Sequence, residues 1–366
     1  MTIKHLLNQQ KNTMKRIITL SIAAVCVIGA YAQRPNDGEI KRLQSFIQLP
    51  SQHPGKTNAE ALHISDINNP AAWEGIVISN GHVTRIDWKG KHLAGQLDLS
   101  GFAALSNIDV SHNALTSLSV AGCTALAELN ASHNRLVQTA TTGCPRLAKI
   151  DISANRLTQI NLGGLAALKT LNCSDNRFAA LDVANTRTLT TLNCSGCRLE
   201  SLSVDNCTAL RNLYCANNRL TTLSLTGTSA LASLNIEGNN IAHIILSGLP
   251  ALNTFVCSDN NMKTLGIRDC KVLSDLVCSY NNLTTLEVAS CPNLAFVDCS
   301  YNDLQQLVLS NQTMLQRLLC DNNELTTLDV SYDTALMYIN CRFNQIIDLR
   351  TVSCPNLTMI AGGWNY

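Results

Sequence analysis

Cysteine and histidine are the residues of this 366-residue chain whose types and spacing could do chemistry. Cys194 and Cys197 have the C-x-x-C spacing of thiol oxidoreductases, a chemistry that needs an activated thiolate, often at a helix N-terminus. His112 and His133 are 21 positions apart, and two imidazoles at adjacent repeat positions could contribute to a metal site. Which of these chemistries is available depends on the elements that hold the side chains.

Neither of these sites is complete in the sequence. The C-x-x-C pair lies at the end of a predicted strand, where Cys194 occupies a core position, and no third ligand converges on the two histidines. The chain also lacks the motifs G-x-S-x-G and H-E-x-x-H and a phosphate-binding glycine loop. We therefore predict no catalytic residue, no metal site and no cofactor, with a thiol oxidoreductase as a weak alternative.

A repeat of 21 residues organises most of the chain. A leucine begins each unit, from Leu105 to Leu357, and an asparagine follows eight positions later in every unit except the one that has Cys197 there. The predicted structural asparagine ladder consists of Asn113, Asn134, Asn155, Asn176, Asn218, Asn239, Asn260, Asn281, Asn302, Asn323 and Asn344, and Asn365 keeps the same register. The consensus unit is L-x-x-L-x-C-S-x-N-x-L-T-x-L-x-V-x-x-C-x-x.

The two halves of this unit predict two short extended segments. In L-x-x-L-x-C, three apolar side chains point inward and alternate with polar ones. The asparagine ends the strand, where its amide can hydrogen-bond with backbone groups of the following turn. The second half, L-T-x-L-x-V, alternates again and returns the chain without a stretch suited to a long helix. One unit cannot bury its own apolar face, so successive units must stack into one continuous core.

These motifs resemble leucine-rich repeats, and more narrowly the cysteine-containing 21-residue repeats of internalin-like surface proteins (the internalin J type, also common in exported proteins of Bacteroidetes). The resemblance covers residues 83–366: one 22-residue repeat, twelve 21-residue repeats and a partial thirteenth. It implies a helix-poor, right-handed solenoid of the α/β horseshoe class, with a parallel β-sheet on the concave face and short strands or turns on the convex side. It also implies adhesion or protein recognition, in proteins often linked to virulence.

Fourteen of the cysteines form two columns at the repeat period. The column within the strand contains Cys173, Cys194, Cys215, Cys257, Cys278, Cys299, Cys320 and Cys341, and the second contains Cys123, Cys144, Cys207, Cys270, Cys291 and Cys354. Val110 and Ile152 fill the strand column in other repeats, which indicates buried, reduced thiols that act as small apolar side chains. Disulfides are the alternative in an exported protein, although parallel Cβ vectors on neighbouring strands oppose them.

Residues 1–32 have the layout of a cleavable secretory signal. A basic pair at 15–16 follows Met14, the predicted start, and an apolar run and small residues come next. The run is too short to cross a membrane comfortably, and no other segment of the sequence could do so. We expect an exported protein, secreted or at the cell surface, with the periplasm as the alternative. The formal net charge of +1 gives no basic footprint for nucleic acid.

Residues 33–82 do not repeat, and we interpret them as an N-terminal cap that covers the core of the first coil. Two short helices are predicted at 39–49 and 58–64, the second with Asn58 as its N-cap. Trp73 and the apolar residues that follow are expected to close the cap. A separate small functional domain is the alternative interpretation.

Function is expected in the columns that the scaffold leaves free. Counted from each leading leucine, these are positions +1, +2, +4, +6 and +7, where aromatic residues appear in the C-terminal half. Exposed aromatic side chains often anchor protein interfaces, so we predict a partner-binding surface on the concave face. Its members are Tyr214, Tyr280, Phe296, Tyr301, Arg317, Tyr338, Arg342, Phe343 and Trp364. The alternative is that these rings only stack on one another and stabilise the sheet.

The sequence therefore predicts an exported, non-enzymatic binding or adhesion module that recognises a protein, or a glycan, on a host or bacterial surface. The alternative is a truncated or structural repeat protein. Such a protein would self-associate through an uncapped C-terminal coil, because the pattern stops within a repeat and an uncovered edge strand promotes association.

Overall fold

The computed structural model describes residues 35–309 and 312–365; the signal segment, with Met14, lies outside this range. Two α-helices, α1 (Asp37–Ile47) and α2 (Asn58–Ala61), and a 3-10 turn at Pro70–Ala72 precede the strands. The strands are β1 (Ile76–Ser79), β2 (His82–Asp87), β3 (Ala94–Asp98), β4 (Asn107–Asp109), β5 (Ala114–Ser119), β6 (Glu128–Asn130), β7 (Gln138–Ala140), β8 (Lys149–Asp151), β9 (Thr170–Asn172), β10 (Ala180–Asp182), β11 (Thr191–Asn193), β12 (Ser201–Ser203), β13 (Asn212–Tyr214), β14 (Ser233–Asn235), β15 (Ile245–Ser247), β16 (Thr254–Val256), β17 (Thr264–Arg268), β18 (Asp275–Val277), β19 (Thr285–Ala289), β20 (Phe296–Asp298), β21 (Arg317–Leu319), β22 (Thr327–Asp329), β23 (Tyr338–Asn340), β24 (Asp348–Arg350) and β25 (Met359–Ala361).

One long sheet runs the length of the molecule in the order β1-β2-β4-β6-β8-β9-β11-β13-β14-β16-β18-β20-β21-β23-β25. Only β1 and β2 pair antiparallel, and every later pair is parallel. Thr254 pairs with Asp275, which pairs with Phe296, so residues 21 apart are neighbours in space. Four short sheets, β3-β5-β7, β10-β12, β15-β17-β19 and β22-β24, form the opposite side. The predicted parallel solenoid, with helices only before the repeats in the described part, is confirmed.

The core lies between the long sheet and the short sheets. In the first regular unit Leu105, Ile108 and Val110 are buried, as the inward positions of L-x-x-L-x-C require. The same columns stay buried along most of the array and form one continuous apolar cluster with the cap. The last coil differs: Ile360 is 46% exposed, whereas Ile339, its neighbour in the same column, is fully buried.

The asparagine ladder joins each coil to the coil before it. The Asn281 amide nitrogen donates to the carbonyl oxygens of Cys278 (3.2 Å) and Ser279 (3.3 Å) in its own turn and of Cys257 (3.0 Å) in the preceding coil. Its oxygen accepts from the backbone NH of Met262, also in the preceding coil, at 3.1 Å. Equivalent bonds occur at Asn113, Asn134, Asn155, Asn176, Asn218, Asn239, Asn260, Asn302, Asn323 and Asn344, which are the contacts that a structural ladder would make.

Cys197 interrupts this ladder. Its thiol donates to the carbonyl oxygen of Cys173 in the preceding coil at 3.1 Å, which reproduces one of the asparagine bonds. By register, the backbone NH that an asparagine oxygen would accept from is that of Phe178, 19 residues earlier. A thiol sulfur is only a weak acceptor, so the exchange weakens one bond between two coils.

All fifteen cysteines from Cys123 to Cys354 are free thiols, and all but Cys354 are buried. The apolar role predicted for the strand column is confirmed, and the disulfide alternative is not what the structure contains. The second column also makes polar contacts. The Cys123 thiol donates to the carbonyl oxygen of Leu99, 24 residues earlier, at 3.1 Å. Equivalent bonds to the preceding coil are made by Cys144, Cys207 and Cys354.

The N-cap of α2 is Thr57, and the prediction of Asn58 was wrong. The Thr57 hydroxyl accepts from the backbone NH of Glu60, and the Glu60 carboxylate accepts from the backbone NH of Thr57, which completes a capping box. Asn58 is instead fully buried, and its amide donates to the carbonyl oxygens of Phe46 (3.1 Å) and Ala94 (2.9 Å). Asn58 therefore ties α1 and β3 together.

One tryptophan is buried within the cap, and another connects the cap to the first coil. Trp73 is buried, and its indole NH donates to the carbonyl oxygen of Asp66 at 3.1 Å. Trp88 is fully buried and stacks on Phe46 of α1, with ring centroids 5.9 Å apart. Residues 35–82 thus share the apolar cluster of the repeats, as an N-terminal cap would.

Candidate binding surface

The predicted site residues occupy two kinds of position beside the long sheet. Phe296, Arg317 and Tyr338 are first residues of β20, β21 and β23 and pair with one another in register. The residues at position +7 lie beyond the strands, in the turn that follows each one. We call Tyr280, Tyr301, Phe343 and Trp364 the aromatic row.

The +7 turn holds its residue in the left-handed backbone region in every repeat, with φ from 52° to 68°. Glycine, asparagine and aspartate tolerate this region, and they occupy much of this column before residue 280. Tyr280 and Tyr301 adopt φ values of 52° and 54°, and Phe343 and Trp364 adopt 53° and 64°. Bulky side chains are uncommon there and carry a cost on the order of 1 kcal/mol or more. The local backbone therefore does not account for aromatic residues at these four positions.

The aromatic row consists of two stacked pairs. The Tyr280 and Tyr301 rings are 4.3 Å apart between centroids and nearly parallel, and the Phe343 and Trp364 rings are 6.1 Å apart with planes inclined by 5°. All four side chains remain between 44% and 61% exposed. Stacking along the row therefore occurs, as the alternative interpretation expected, but it leaves about half of each side chain in contact with solvent.

Arg317 lies between two rings on the long sheet. Its guanidinium carbon is 5.7 Å from the Phe296 ring centroid and 5.6 Å from the Tyr338 ring centroid, which are distances typical of cation–π contacts. Both rings are half-buried, and Arg317 is exposed. We call this group the guanidinium sandwich. The coils of Phe296 and Tyr338 also contain Tyr301 and Phe343 of the aromatic row, so we treat the sandwich and the row as one surface.

Two of the predicted residues stand apart from these contacts. Tyr214 is half-buried on β13, three coils before Tyr280, between Asn193 and Asn235 in register. Arg342 is exposed and precedes Phe343 directly in sequence. The structure thus places seven of the nine predicted residues in ring or cation contacts with one another.

Carboxylates accompany the aromatic residues. Partial desolvation raises the pKa of Tyr280, and the neighbouring Tyr301 hydroxyl and the charges of Asp321 and Asp298 act in the same direction. The Asp321 carboxylate accepts from the amide nitrogens of Asn322 at 2.8 Å and Asn340 at 2.7 Å. Sequence reasoning did not select Asp321 and Asn322. The sequence does distinguish both positions: Asp321 replaces the serine of the consensus, and Asn322 interrupts the aromatic row.

The N-terminal half of the long sheet has a polar surface. A depression of about 310 Å³ is lined by charged and amide side chains that include Arg85, Asp109 and Lys149. The Asp109 carboxylate accepts from the Ser111 hydroxyl at 2.6 Å and from the Asn130 amide at 3.2 Å. The Arg85 guanidinium in turn pairs with the Asp87 carboxylate at 3.2 Å, so both Arg85 and Asp109 have partners within the sheet.

The two histidines stack in the same way as the tyrosines, with ring centroids 4.3 Å apart. His112 and His133 both lie in the +7 turn, with φ of 55° and 53°. Within residues 35–309 and 312–365, no group of three or more histidine, cysteine or acidic side chains is arranged to hold a metal ion. The histidine pair therefore supplies two ligands at most.

The C-x-x-C pair lies inside the apolar core. Cys194 is fully buried, and burial raises its pKa well above the ordinary thiol value, which is opposite to what a redox cysteine needs. The Cys197 thiol hydrogen-bonds with the backbone of Cys173 in the preceding coil, and Cys197 is also fully buried. The contact with Cys173 lowers the pKa of Cys197 and raises that of Cys173, but burial of all three thiols keeps them from an outside reactant.

Comparison with known proteins places this architecture among solved folds. The family model for two copies of leucine-rich repeats matches residues 187–227. The functional domain of InlJ from Listeria monocytogenes, which includes a cysteine ladder, is 23% identical with a TM-score of 0.53 and is matched over 74% of this chain. YopM, a leucine-rich effector protein from Yersinia pestis, is 21% identical with a TM-score of 0.58, over 72% of this chain and 78% of YopM.

The present chain spans 56% of the InlJ chain, and no curated protein sequence matches it. Within the described residues, no helix has the length and apolar character needed to span a bilayer. At these identities the structural likeness establishes the fold and not a ligand. The 21-residue period, the parallel solenoid and the cysteine column agree with it: the chain has the leucine-rich-repeat solenoid fold and is similar in structure to the internalin InlJ.

Proposed function

We propose that the chain is an exported, non-enzymatic binding module that docks a protein partner, as an adhesin does, on the C-terminal half of its long sheet. The docking surface consists of the aromatic row and the guanidinium sandwich. Aromatic and arginine side chains are the residue types most often responsible for binding energy at protein interfaces. Several of them here are exposed and held in fixed positions by stacking.

One observation carries this proposal. Large aromatic side chains occupy a left-handed turn position that smaller residues fill in the N-terminal repeats. Backbone strain of this kind persists where a side chain serves a purpose other than local stability. Stacking alone recovers about 0.5–1.5 kcal/mol per pair, which does not clearly exceed the cost of two strained residues. Contact with a partner would explain why large aromatic residues occupy these strained positions.

The experiment compares the full-length mature chain with the double variant Tyr280→Ala, Tyr301→Ala in affinity capture from host and bacterial surface extracts. The matched control is His112→Ala, His133→Ala, because that pair lies in the same turn column with the same stacking distance. A captured protein is then identified, and its dissociation constant is measured for all three chains. We expect at least tenfold weaker binding by the tyrosine variant and unchanged binding by the histidine variant.

Equal binding by all three chains would place the interface elsewhere. Glycosidase treatment of the extract separates the two ligand classes named from the sequence. Loss of capture after this treatment would show that a glycan is the ligand, and would overturn the protein-partner proposal.

A second candidate function is self-association through the last coil, and one observation favours it. Ile360 belongs to a core column but is 46% exposed, and Met359 beside it is 56% exposed. A second copy that covers β25 would bury both. Sedimentation at rising concentration should then show dimers that Ile360→Asp abolishes; a monomer at every concentration would exclude this candidate.

A further inference from the structure

The aromatic row contains a gap. Asn322 occupies the row position between Tyr301 and Phe343, so these two rings are separated by two coils, roughly 9–10 Å at the strand spacing of a β-sheet. Each ring stacks on its outer neighbour along the row, Tyr301 on Tyr280 and Phe343 on Trp364. The inner faces of Tyr301 and Phe343 are therefore turned toward Asn322. We call the space between these two faces the slot.

The side chain at the base of the slot is short and already held. The Asn322 amide nitrogen donates to the Asp321 carboxylate at 2.8 Å, so the amide is bonded to that carboxylate rather than stacked on either ring. Asn322 is half-buried, whereas the Tyr301 and Phe343 side chains are 44% and 49% exposed. The slot is therefore open to solvent and bordered by two ring faces.

The molecule itself shows what fits between rings separated by two coils. In the guanidinium sandwich, Phe296 and Tyr338 are two coils apart, and the Arg317 guanidinium lies 5.7 and 5.6 Å from their centroids. The slot has the same coil separation and lacks the central planar group. A guanidinium supplied from outside would complete the same arrangement, and its planar faces suit stacking between rings better than a compact ammonium does.

The charges around the slot favour a cation. The free columns of the five coils that begin at Leu252 and end with Phe343 contain four carboxylates, Asp259, Asp275, Asp298 and Asp321, and two arginines, Arg317 and Arg342. Arg317 is already engaged with two rings. Asp298 and Asp321 form hydrogen bonds with serine and asparagine side chains but no ion pair within the described residues.

We propose that the slot between Tyr301 and Phe343 receives an arginine side chain of the protein partner, with the guanidinium stacked between the two rings and the Asp321 carboxylate beside it. This proposal rests on the proposed function and names the chemistry that the docking surface recognises. It makes Asn322 a specificity determinant, because a larger side chain there would close the slot.

The test uses four acetylated and amidated pentapeptides of sequence Gly-Ser-X-Ser-Gly, in which X is arginine, lysine, citrulline or tyrosine. Binding to the full-length mature chain is followed by ligand-observed NMR titration. We expect the arginine peptide to bind at least fivefold more tightly than each of the others. Citrulline keeps the planar shape without the charge, and lysine keeps the charge without the plane.

Two variants test whether a preference for the arginine peptide arises at the slot. Asn322→Tyr continues the aromatic row and should abolish the preference for arginine. Asn217→Tyr is the matched control, because Asn217 lies in the same column with the same φ of 55° and has no aromatic neighbour in the row. If Asn322→Tyr does not fold, Phe343→Ala serves instead, because it removes one wall of the slot.

Three results would overturn the proposal: equal binding of the four peptides, tightest binding of the tyrosine peptide, or a preference that survives Asn322→Tyr. Failure of the slot is distinguishable from failure of the docking surface. A partner that Tyr280→Ala, Tyr301→Ala weakens but Asn322→Tyr does not would preserve the surface and exclude the slot.

Discussion

Tyr280 and Tyr301 stack with ring centroids 4.3 Å apart, although each residue adopts a left-handed backbone conformation that bulky side chains seldom occupy. The stack follows from the register, because residues 21 apart occupy equivalent positions in adjacent coils. The strained conformation follows from the turn that every repeat makes at this point. Their combination is the reason that we propose a role for this pair in binding a partner.

This relationship predicts that the double variant Tyr280→Asn, Tyr301→Asn folds about as stably as the wild type. Relief of backbone strain at two residues, about 1 kcal/mol or more each, opposes the loss of one stacked pair, about 0.5–1.5 kcal/mol, so no large loss of stability is expected. Urea denaturation should show a free energy of unfolding that falls by no more than about 1 kcal/mol. Leu276→Ala is the comparison, because a cavity at that fully buried residue should cost about 2–5 kcal/mol. A loss as large as that of Leu276→Ala would mean that the tyrosines mainly hold the fold together.

The asparagine ladder predicts that Asn281→Ala lowers the free energy of unfolding by about 2–4 kcal/mol, because several buried backbone groups lose their partner. Asn217→Gly is the control. Asn217 lies one column away, at a left-handed position that glycine adopts as easily, so the control should change little. Thermal denaturation of the two variants checks the assignment, and similar melting temperatures would contradict it.

The interruption at Cys197 predicts that Cys197→Asn stabilises the chain by about 1 kcal/mol. The new amide oxygen would accept from the backbone NH of Phe178, as asparagine oxygens do in the other repeats. Chemical denaturation measures the gain. Cys194→Asn should have the opposite effect, because Cys194 lies in the fully buried strand column. Phe178 is larger than the leucine found at this position in neighbouring repeats, and it could crowd an asparagine at position 197. If Cys197→Asn alone destabilises the chain, addition of Phe178→Leu should restore the expected increase in stability.

The tyrosine pair predicts an ionisation that can be followed by phenolate absorbance. The pKa of Tyr280 is raised by partial desolvation and by Tyr301, so the folded state favours the neutral phenol. This contribution to stability is complete below the ordinary tyrosine pKa of about 10 and is lost as the pH rises through the higher folded-state value. Tyr301→Phe should lower the pKa of Tyr280, and Tyr332→Phe should not. Unchanged titration in both variants would show that the two hydroxyls do not interact.

The cysteines predict one preferred site of alkylation. Burial raises the pKa of Cys215 to about 12 and that of Cys270 to about 11, so these thiols should be unreactive in the folded protein. Cys354 is the only half-buried thiol among the described cysteines. Mass spectrometry after brief treatment with iodoacetamide at mildly alkaline pH should show Cys354 modified first. Earlier modification of Cys194 or Cys197 would revive the thiol-chemistry interpretation.

The scaffold could be predicted from the sequence because each of its columns responds to one local requirement. Leu105, Ile108 and Val110 are apolar because that face is buried, and Asn113 is polar because it bonds to the turn. Each requirement predicts the fold only weakly within one repeat, but its recurrence in successive repeats makes the prediction strong. The cap has no such repetition, and Asn58 was therefore mistaken for an N-cap when Thr57 fills that role.

The binding surface could be predicted only in part. The residues of the aromatic row were identifiable by type and column, but their left-handed conformation was not deduced, although glycine and asparagine in the same column point to it. The contact of Arg317 with Phe296 and Tyr338 depends on side-chain rotamers and not on the period. Asp321 was not predicted as part of the surface, because the only feature that sets it apart in the sequence is that it replaces the consensus serine.

The asparagine bonds also give the array a direction. The side-chain bonds run one way: the Asn281 amide bonds to its own turn and to the coil before it, whereas only the Asn281 backbone NH donates to the coil after it, at the carbonyl oxygen of Tyr301. Some backbone groups of each coil are therefore satisfied by the asparagine side chain of its successor. At Cys197 this dependence is weakest. In hydrogen exchange, the array should therefore behave as two cooperative segments that meet near this coil, with protection lost on each side at a different denaturant concentration. Under mechanical tension, the boundary near residue 197 should be the first place where the stack separates.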